Sequence, residues 1–386
     1  MKHKTVIFLG ISLVILAIML WFVGIDKVIN SLKRADPVYI LISVIMQLFI
    51  ILLYALRWNL INKIADINCS LKSLYPVTLV GLAVNNITPA GRGGGEPVRA
   101  YILSRDKGHP MEETFATVVA DRALDTFPFV VLAIITLIAM TFHFDVDLWL
   151  LIAMILGVIF IVAFLCVLIY MCINEKFGVK VQDWIIKLVR RFYKKDTIQL
   201  ERKIKETIVG FQETMRLLLS KKDIFYYAIP VSFLIWIFEI IRVYLVFLAF
   251  GASISPVIIG EVFIIASLVG MIPILPGGLG AVDSVMILFY ASAGIGATIS
   301  AGATVVERLI SYWLVTILGL CILPYYGSSV LDKVSFSPKA SETADEIAGE
   351  FEDIGEDGKV FDDDYSKTDS NISRELEKIE NEHKKD

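Results

Sequence analysis

Cysteine and histidine are scarce in this chain of 386 residues, with four of each. Cys69, Cys166, Cys172 and Cys321 show no CxxC spacing, which suggests neither a disulfide framework nor a zinc site. His3, His109, His143 and His383 are equally isolated and read as polar loop residues, leaving no basis for a histidine-centred hydrolase. The Gly-rich stretch GRGGGE lacks both the Lys-Ser/Thr ending and the preceding strand of a nucleotide phosphate loop. The apolar part carries no DDxxD-type acidic cluster. No cofactor, no metal and no nucleic-acid partner is therefore expected.

Charge is also missing over long runs. Hydrophobic residues make up 56% of the chain, and the mean hydropathy is +0.70, more apolar surface than a soluble core needs. About 20 mostly apolar residues cross a bilayer. Stretches 5–25, 37–56, 126–141 (with a polar approach from 114), 147–173, 224–250 and 303–326 all qualify. The first is expected to be an uncleaved anchor, because its apolar run is long and no small-x-small cleavage site follows. Two further apolar stretches, 74–88 and 256–275, are interrupted or ended by Pro and Gly. The fold class predicted is an all-α integral membrane protein, a polytopic helical bundle over residues 1–330 without a catalytic domain.

The net charge of −4 averages two unlike regions. From Leu331 onward there are 18 acidic and 8 basic residues, so 331–386 reads as an acidic, solvated, disordered cytoplasmic tail. Residues 174–222 carry 13 Lys or Arg against 6 Asp or Glu, which places this linker in the cytoplasm together with both termini of a multi-pass cell-membrane protein. Within the linker, Trp184, Ile185, Leu188 and Phe192, then Ile204, Ile208, Phe211, Met215 and Leu218, recur at helical spacing. That pattern suits amphipathic helices on the membrane surface or a small soluble helical hairpin.

The chain repeats itself. ATVVADR at 116–122 returns as ATVVER at 303–308, and PAGRGGGE from Pro89 to Glu96 returns as PGGLGAVD from Pro276 to Asp283. Arg57 corresponds roughly to Arg242. Three matches in one order point to repeat units at about 37–141 and 224–326. The topology makes the two units antiparallel, an inverted repeat of the kind transporters use. Each Pro/Gly segment then reads as a re-entrant hairpin, or as the join of two full spans. Pro89, Gly91, Gly93, Gly94, Gly95, Pro276, Gly277, Gly278 and Gly280 are the candidate hinge residues.

Ionisable residues within apolar stretches complete the pattern: Asp121, Arg122 and Asp125 in one unit, Glu307 and Arg308 in the other, and Glu239 with Arg242. Such residues are costly in hydrocarbon unless paired or hydrated, and they line pathways or fix packing. Asp121 and Asp125 lie four apart, so they can share a partner. Arginine suits a lipid phosphate because its planar fork donates two parallel hydrogen bonds. Arg99, Arg122 and Arg308 are the candidate phosphate binders, with Glu96, Asp121, Asp125, Asp283 and Glu307 positioning them or meeting an amine.

NNITPAGRGGGEPVRAY, ADRALD, LPGGLGAVD and VERLISYW resemble the transmembrane flippase-like domain of lysylphosphatidylglycerol synthases and its stand-alone relatives, over about residues 1–330. In bifunctional members that domain carries an aminoacylated phospholipid to the outer leaflet, while a separate soluble domain makes it from aminoacyl-tRNA. The tail here is too short and acidic for a synthase domain. The resemblance therefore implies the translocation half alone, with a membrane phospholipid or polyprenyl-phosphate lipid as partner and homo-oligomerisation left open. The expectation is a non-enzymatic lipid translocase. The alternatives are a membrane-embedded transferase acting on lipid-linked substrates and a non-catalytic membrane partner of a glycosyltransferase.

Overall fold

The computed structural model describes residues 30, 33–88, 93–144, 147–192, 198–271 and 278–326. The predicted anchor at 5–25, the tail at 331–386, and Pro89, Gly91, Pro276 and Gly277 lie outside them. The described residues form helices and no strand.

Helix α1 (Pro37–Ile64) starts at Asp36, whose side chain accepts from the Val38 amide, with Pro37 at the first helical position. Two shorter helices follow, α2 (Leu71–Ile87) and α3 (Gly95–Lys107); α3 stops at Gly108 in the left-handed conformation. α4 (Met111–His143) is continuous, so the polar approach and the apolar run expected at 114–141 form one helix of 33 residues. α5 (Leu148–Ile173) is apolar all round and turns exposed aliphatic and aromatic side chains outward.

α6 (Glu175–Phe192) and α7 (Ile198–Ser220) are strongly amphipathic. α7 is not free of the bundle: Met215 and Leu218 bury against Ala116 and Ala120 of α4 and Ile61 of α1. α8 (Ile224–Ala249) opens on a π-type turn. α9 (Pro256–Gly270) and α10 (Ala281–Ser292) flank the second Gly-rich segment. α11 (Ala297–Tyr326) has a π-type turn at Leu309–Leu314. That turn follows ATVVER directly, where the second string is one residue shorter than the first. A π-type turn takes up one more residue than an α-turn.

Among the described residues, five helices, α1, α4, α5, α8 and α11, are long and apolar enough to cross a membrane. The chain is an all-α polytopic membrane protein. α9 and α10, at 15 and 12 residues, are about 22 and 18 Å long. Each falls short of the roughly 30 Å hydrocarbon core. α1 and α8 pack antiparallel: the Asp36 amide at the start of α1 donates to Ala249 O at the end of α8 (2.8 Å), while Ile61 near the end of α1 shares a cluster with Ile224 and Ala228 at the start of α8.

Candidate functional site

The site grows from α1, whose buried face carries Gln47, Arg57 and Trp58 among aliphatic side chains. A guanidinium inside a membrane bundle requires anions, and α4 supplies two from one face. Arg57 donates through Nε to Asp121 Oδ1 and through one terminal nitrogen to Asp125 Oδ1, both at 2.7 Å, and to Ser232 Oγ of α8 at 3.0 Å. The four-residue spacing of the two aspartates thus lets one arginine hold both.

Asp121 has a second cation. Arg99 of α3 points both terminal nitrogens at Oδ2, each 3.0 Å away, and its guanidinium lies over the Trp58 ring at 4.1 Å. Trp58 is fixed in turn by donating Nε1–H to Thr117 Oγ1. Arg99 reaches this position because α2 and α3 touch backbone to backbone. A Cβ at Gly95 would collide with the Gly81 carbonyl oxygen, and one at Gly81 with the Arg99 stem. Gly95 N–H donates to Asn85 Oδ1 (2.6 Å), and Asn85 Nδ2 donates to Glu96 Oε1 (3.1 Å).

Glu96 also receives Nε–H of Arg122, which sits 4.0 Å from Asp125. Arg57, Arg99 and Arg122 thereby meet Glu96, Asp121 and Asp125, three charges against three. Arg57 and Arg99 are sealed, whereas the Arg122 side chain is 35% exposed. Of the three arginines in this network, its side chain is the most exposed.

The same wiring recurs around α8. Arg242 donates to Glu307 Oε1 at 2.8 Å, as Arg57 does to Asp121, and it also contacts Gln47 of α1 and Glu239. Arg308 Nε lies 3.0 Å from Asp283, as Arg122 pairs with Glu96, and its guanidinium stands over Tyr312. Asp283 Oδ2 accepts from the Gly280 amide (2.7 Å). Gly278 and Gly280 both have positive φ, +68° and +81°, which side chains other than glycine rarely adopt. Gly94 is confined differently: a Cβ there would lie 2.5 Å from Thr88 Oγ1. Gly93 precedes it outside any helix.

Of the eight candidate binding residues, Arg99, Arg122, Glu96, Asp121 and Asp125 share one connected network, while around α8 Arg308 pairs with Asp283 and Glu307 pairs with Arg242. Tyr312 ties α11 to α2, because its hydroxyl donates to Asn86 O of α2 (2.9 Å), while Asn86 Nδ2 donates to Thr316 of α11 (2.9 Å).

The sequence model described as the lysylphosphatidylglycerol synthase TM region matches residues 6–319. The chain belongs to this family. Among its relatives, a UPF0104 membrane protein of Methanothermobacter thermautotrophicus is 48% identical over 334 residues, covering 86% of this chain and 99% of that one. A UPF0104 membrane protein of Pyrococcus horikoshii is 32% identical over 325 residues (83% and 96%), and one of Methanocaldococcus jannaschii is 33% identical over 321 (82% and 93%). This family member aligns with these relatives over nearly their whole length. All the candidate site residues fall inside the matched region.

Arg57, absent from the candidate binders, is the hub of the first network, and the ion pair of His143 was not foreseen either. His143, read from sequence as an isolated loop residue, is the last residue of α4, and its Nδ1 lies 2.8 Å from Glu261 Oε1 of α9. The two are 118 positions apart, and neither belongs to the repeated strings, so no local signal linked them.

Proposed function

We propose that the protein is a lipid translocase of the cytoplasmic membrane, moving a phosphate-containing lipid between leaflets without changing it chemically. The observation that carries this reading is the recurrence of one ion-pair wiring on two helices, α1 and α8, that run antiparallel. Two matched networks in opposite orientation suit a protein that presents equivalent sites to opposite leaflets. On this reading residues 37–141 and 224–326 are inverted repeats, and the breaks between α2 and α3 and between α9 and α10 are re-entrant turns. The basic linker and both termini face the cytoplasm.

Arg122 would take the phosphate on the first side, and Arg308, 8% exposed against 35% for Arg122, would take it on the second once that side opens. The acidic partners hold each guanidinium in place and offer a carboxylate to an amine-bearing head group. An apolar groove of about 700 Å³ between α4 and α5, lined by residues such as Leu137, Ile138, Ile155 and Val158, suits acyl chains that stay in lipid. The family's description, a region of a phospholipid synthase, agrees with a lipid as the ligand.

The test uses the purified full chain in liposomes. A fluorescent anionic phospholipid, an aminoacylated one and a polyprenyl phosphate are each followed between leaflets with an impermeant quencher or modifying reagent. At least one should move faster with protein than without and emerge unaltered. Equal exchange in protein-free and protein-containing vesicles across that panel overturns the proposal, and a chemically altered lipid assigns the protein to the transferases.

A further inference from the structure

Glu261 lies on α9 and lines a cavity of about 190 Å³ between α4, α8 and α9. The walls are otherwise apolar, Leu132, Ile135, Ile240 and Ile264 among them, apart from Thr136. The carboxyl group is 3% exposed, and its Oε2 has no hydrogen-bonding partner. Oε1 has one, Nδ1 of His143, whose side chain is 41% exposed at the end of α4. An ionised carboxylate with half its acceptors unsatisfied among aliphatic side chains is unfavourable, and more so within a membrane bundle.

No other described cation offsets it. α4 contributes His143 alone within ion-pair distance of Glu261. On α8, Arg242 is bound to both Glu239 and Glu307. On α10, Asp283 is held by Arg308 and the Gly280 amide, and Tyr290 directs its hydroxyl to Ile259 O. α5, which also touches α9, follows the exposed Asp147 and carries no charge.

Proton counting then defines the site. A 2.8 Å contact between Nδ1 and a carboxyl oxygen requires one proton between them. With that proton alone on a neutral imidazole, the pair carries a net −1 in an apolar cavity. One more proton gives either imidazolium with carboxylate or imidazole with carboxylic acid, and both are neutral. The half-exposed ring supplies the route by which that proton reaches the buried oxygen, and the aliphatic walls suit imidazole with carboxylic acid, the form that separates no charge among them.

We infer that His143 and Glu261 form a proton-binding site, separate from the arginine networks, that takes up one proton from the membrane surface. Its use, which rests on the translocase reading, is to let a proton gradient bias lipid movement.

The experiment takes the full chain in vesicles of phosphatidylcholine and phosphatidylglycerol and records infrared difference spectra between about pH 8 and about pH 5, the interval that brackets histidine titration. Wild type should gain a protonated-carboxyl band typical of a solvent-shielded group, and Glu261→Gln should lack it. His143→Gln should shift the midpoint of that band by about one pH unit or more, tenfold in proton affinity. A band unchanged in Glu261→Gln, or a midpoint unmoved in His143→Gln, overturns the site. In the same vesicles an imposed pH gradient should speed lipid movement in wild type and leave Glu261→Gln at its gradient-free rate; equal acceleration of both refutes the coupling. If wild type moves no lipid at all, the translocase reading falls, while the infrared result still decides the proton site.

Discussion

Replacing Arg57 by Met tests whether the first network is held by its sealed arginine. The change deletes donors to Asp121 and Asp125, each at 2.7 Å, and to Ser232 at 3.0 Å. Asp121 keeps the two-pronged contact from Arg99, but Asp125 is left with Arg122 at 4.0 Å. Breaking a buried ion pair by removing one partner costs about 3–5 kcal/mol, because the remaining charge is stranded. Against a total stability of about 5–15 kcal/mol, that is a large fraction. The loss corresponds to a fall on the order of 10 °C in the temperature of half-unfolding at a fixed heating rate. The assay is thermal unfolding of the full chain in detergent, read by tryptophan fluorescence and by retention of a monodisperse peak. Adding Asp125→Asn to Arg57→Met removes the stranded charge and should restore most of the loss. An Arg57→Met protein as stable as wild type, or a double variant no better than the single, would refute the argument.

Arg122→Ala and Arg308→Ala should each lower lipid movement at least tenfold in the liposome assay, with Arg122→Ala less destabilising than Arg57→Met because its side chain is 35% exposed; normal transport by both would leave the networks a packing role. Single cysteines at Lys205 and Asp147, both exposed, should be respectively protected from and modified by an impermeant thiol reagent added outside, in a background lacking the native cysteines. Among those native thiols Cys69 is buried, and burial pushes it above its ordinary value, which slows its reaction with thiol reagents. Gly95→Leu should fail to yield a monodisperse protein, because its side chain would occupy the α2 backbone at Gly81. Gly278→Ala should lose roughly 1–2 kcal/mol from its left-handed backbone and more from its Cβ, which would lie 2.6 Å from the Val282 side chain, together with a slower lipid exchange rate.

Hydropathy made the five long helices legible, since a bilayer demands the same apolar length of any sequence. It also placed the Pro/Gly breaks. The repeated strings went further and brought Glu96 into line with Arg122 and Asp283 with Arg308, pairs that the fold does join. Repetition served as a second copy of the same spatial problem, which a single string cannot provide. What could not be read were contacts without a duplicated signature. Trp58 under Arg99 and the Gly81–Gly95 approach depend on the angle at which two helices meet, and hydropathy carries no angle. His143 and Glu261 come from opposite halves of the chain and match nothing in each other's surroundings. The start of α4 was blurred for a plainer reason: Glu112 and Glu113 break the apolar run but suit a helix N-terminus.

The balance of charge in the two networks bears on how such a chain enters a membrane during synthesis. Residues 37–143 contain their own solution, three arginines and three carboxylates that neutralise one another before any later residue is made. The second network is not self-sufficient in this way. Arg242 and Arg308 face Glu239, Glu307 and Asp283, one cation short, and Arg242 leans on Gln47 of α1 for a hydrogen bond. The earlier segment can therefore be laid into lipid as it leaves the ribosome, with its ions already matched. The later segment enters with one carboxylate in excess, and the central arginine of each group then reaches across for a neutral acceptor, Arg57 to Ser232 and Arg242 to Gln47.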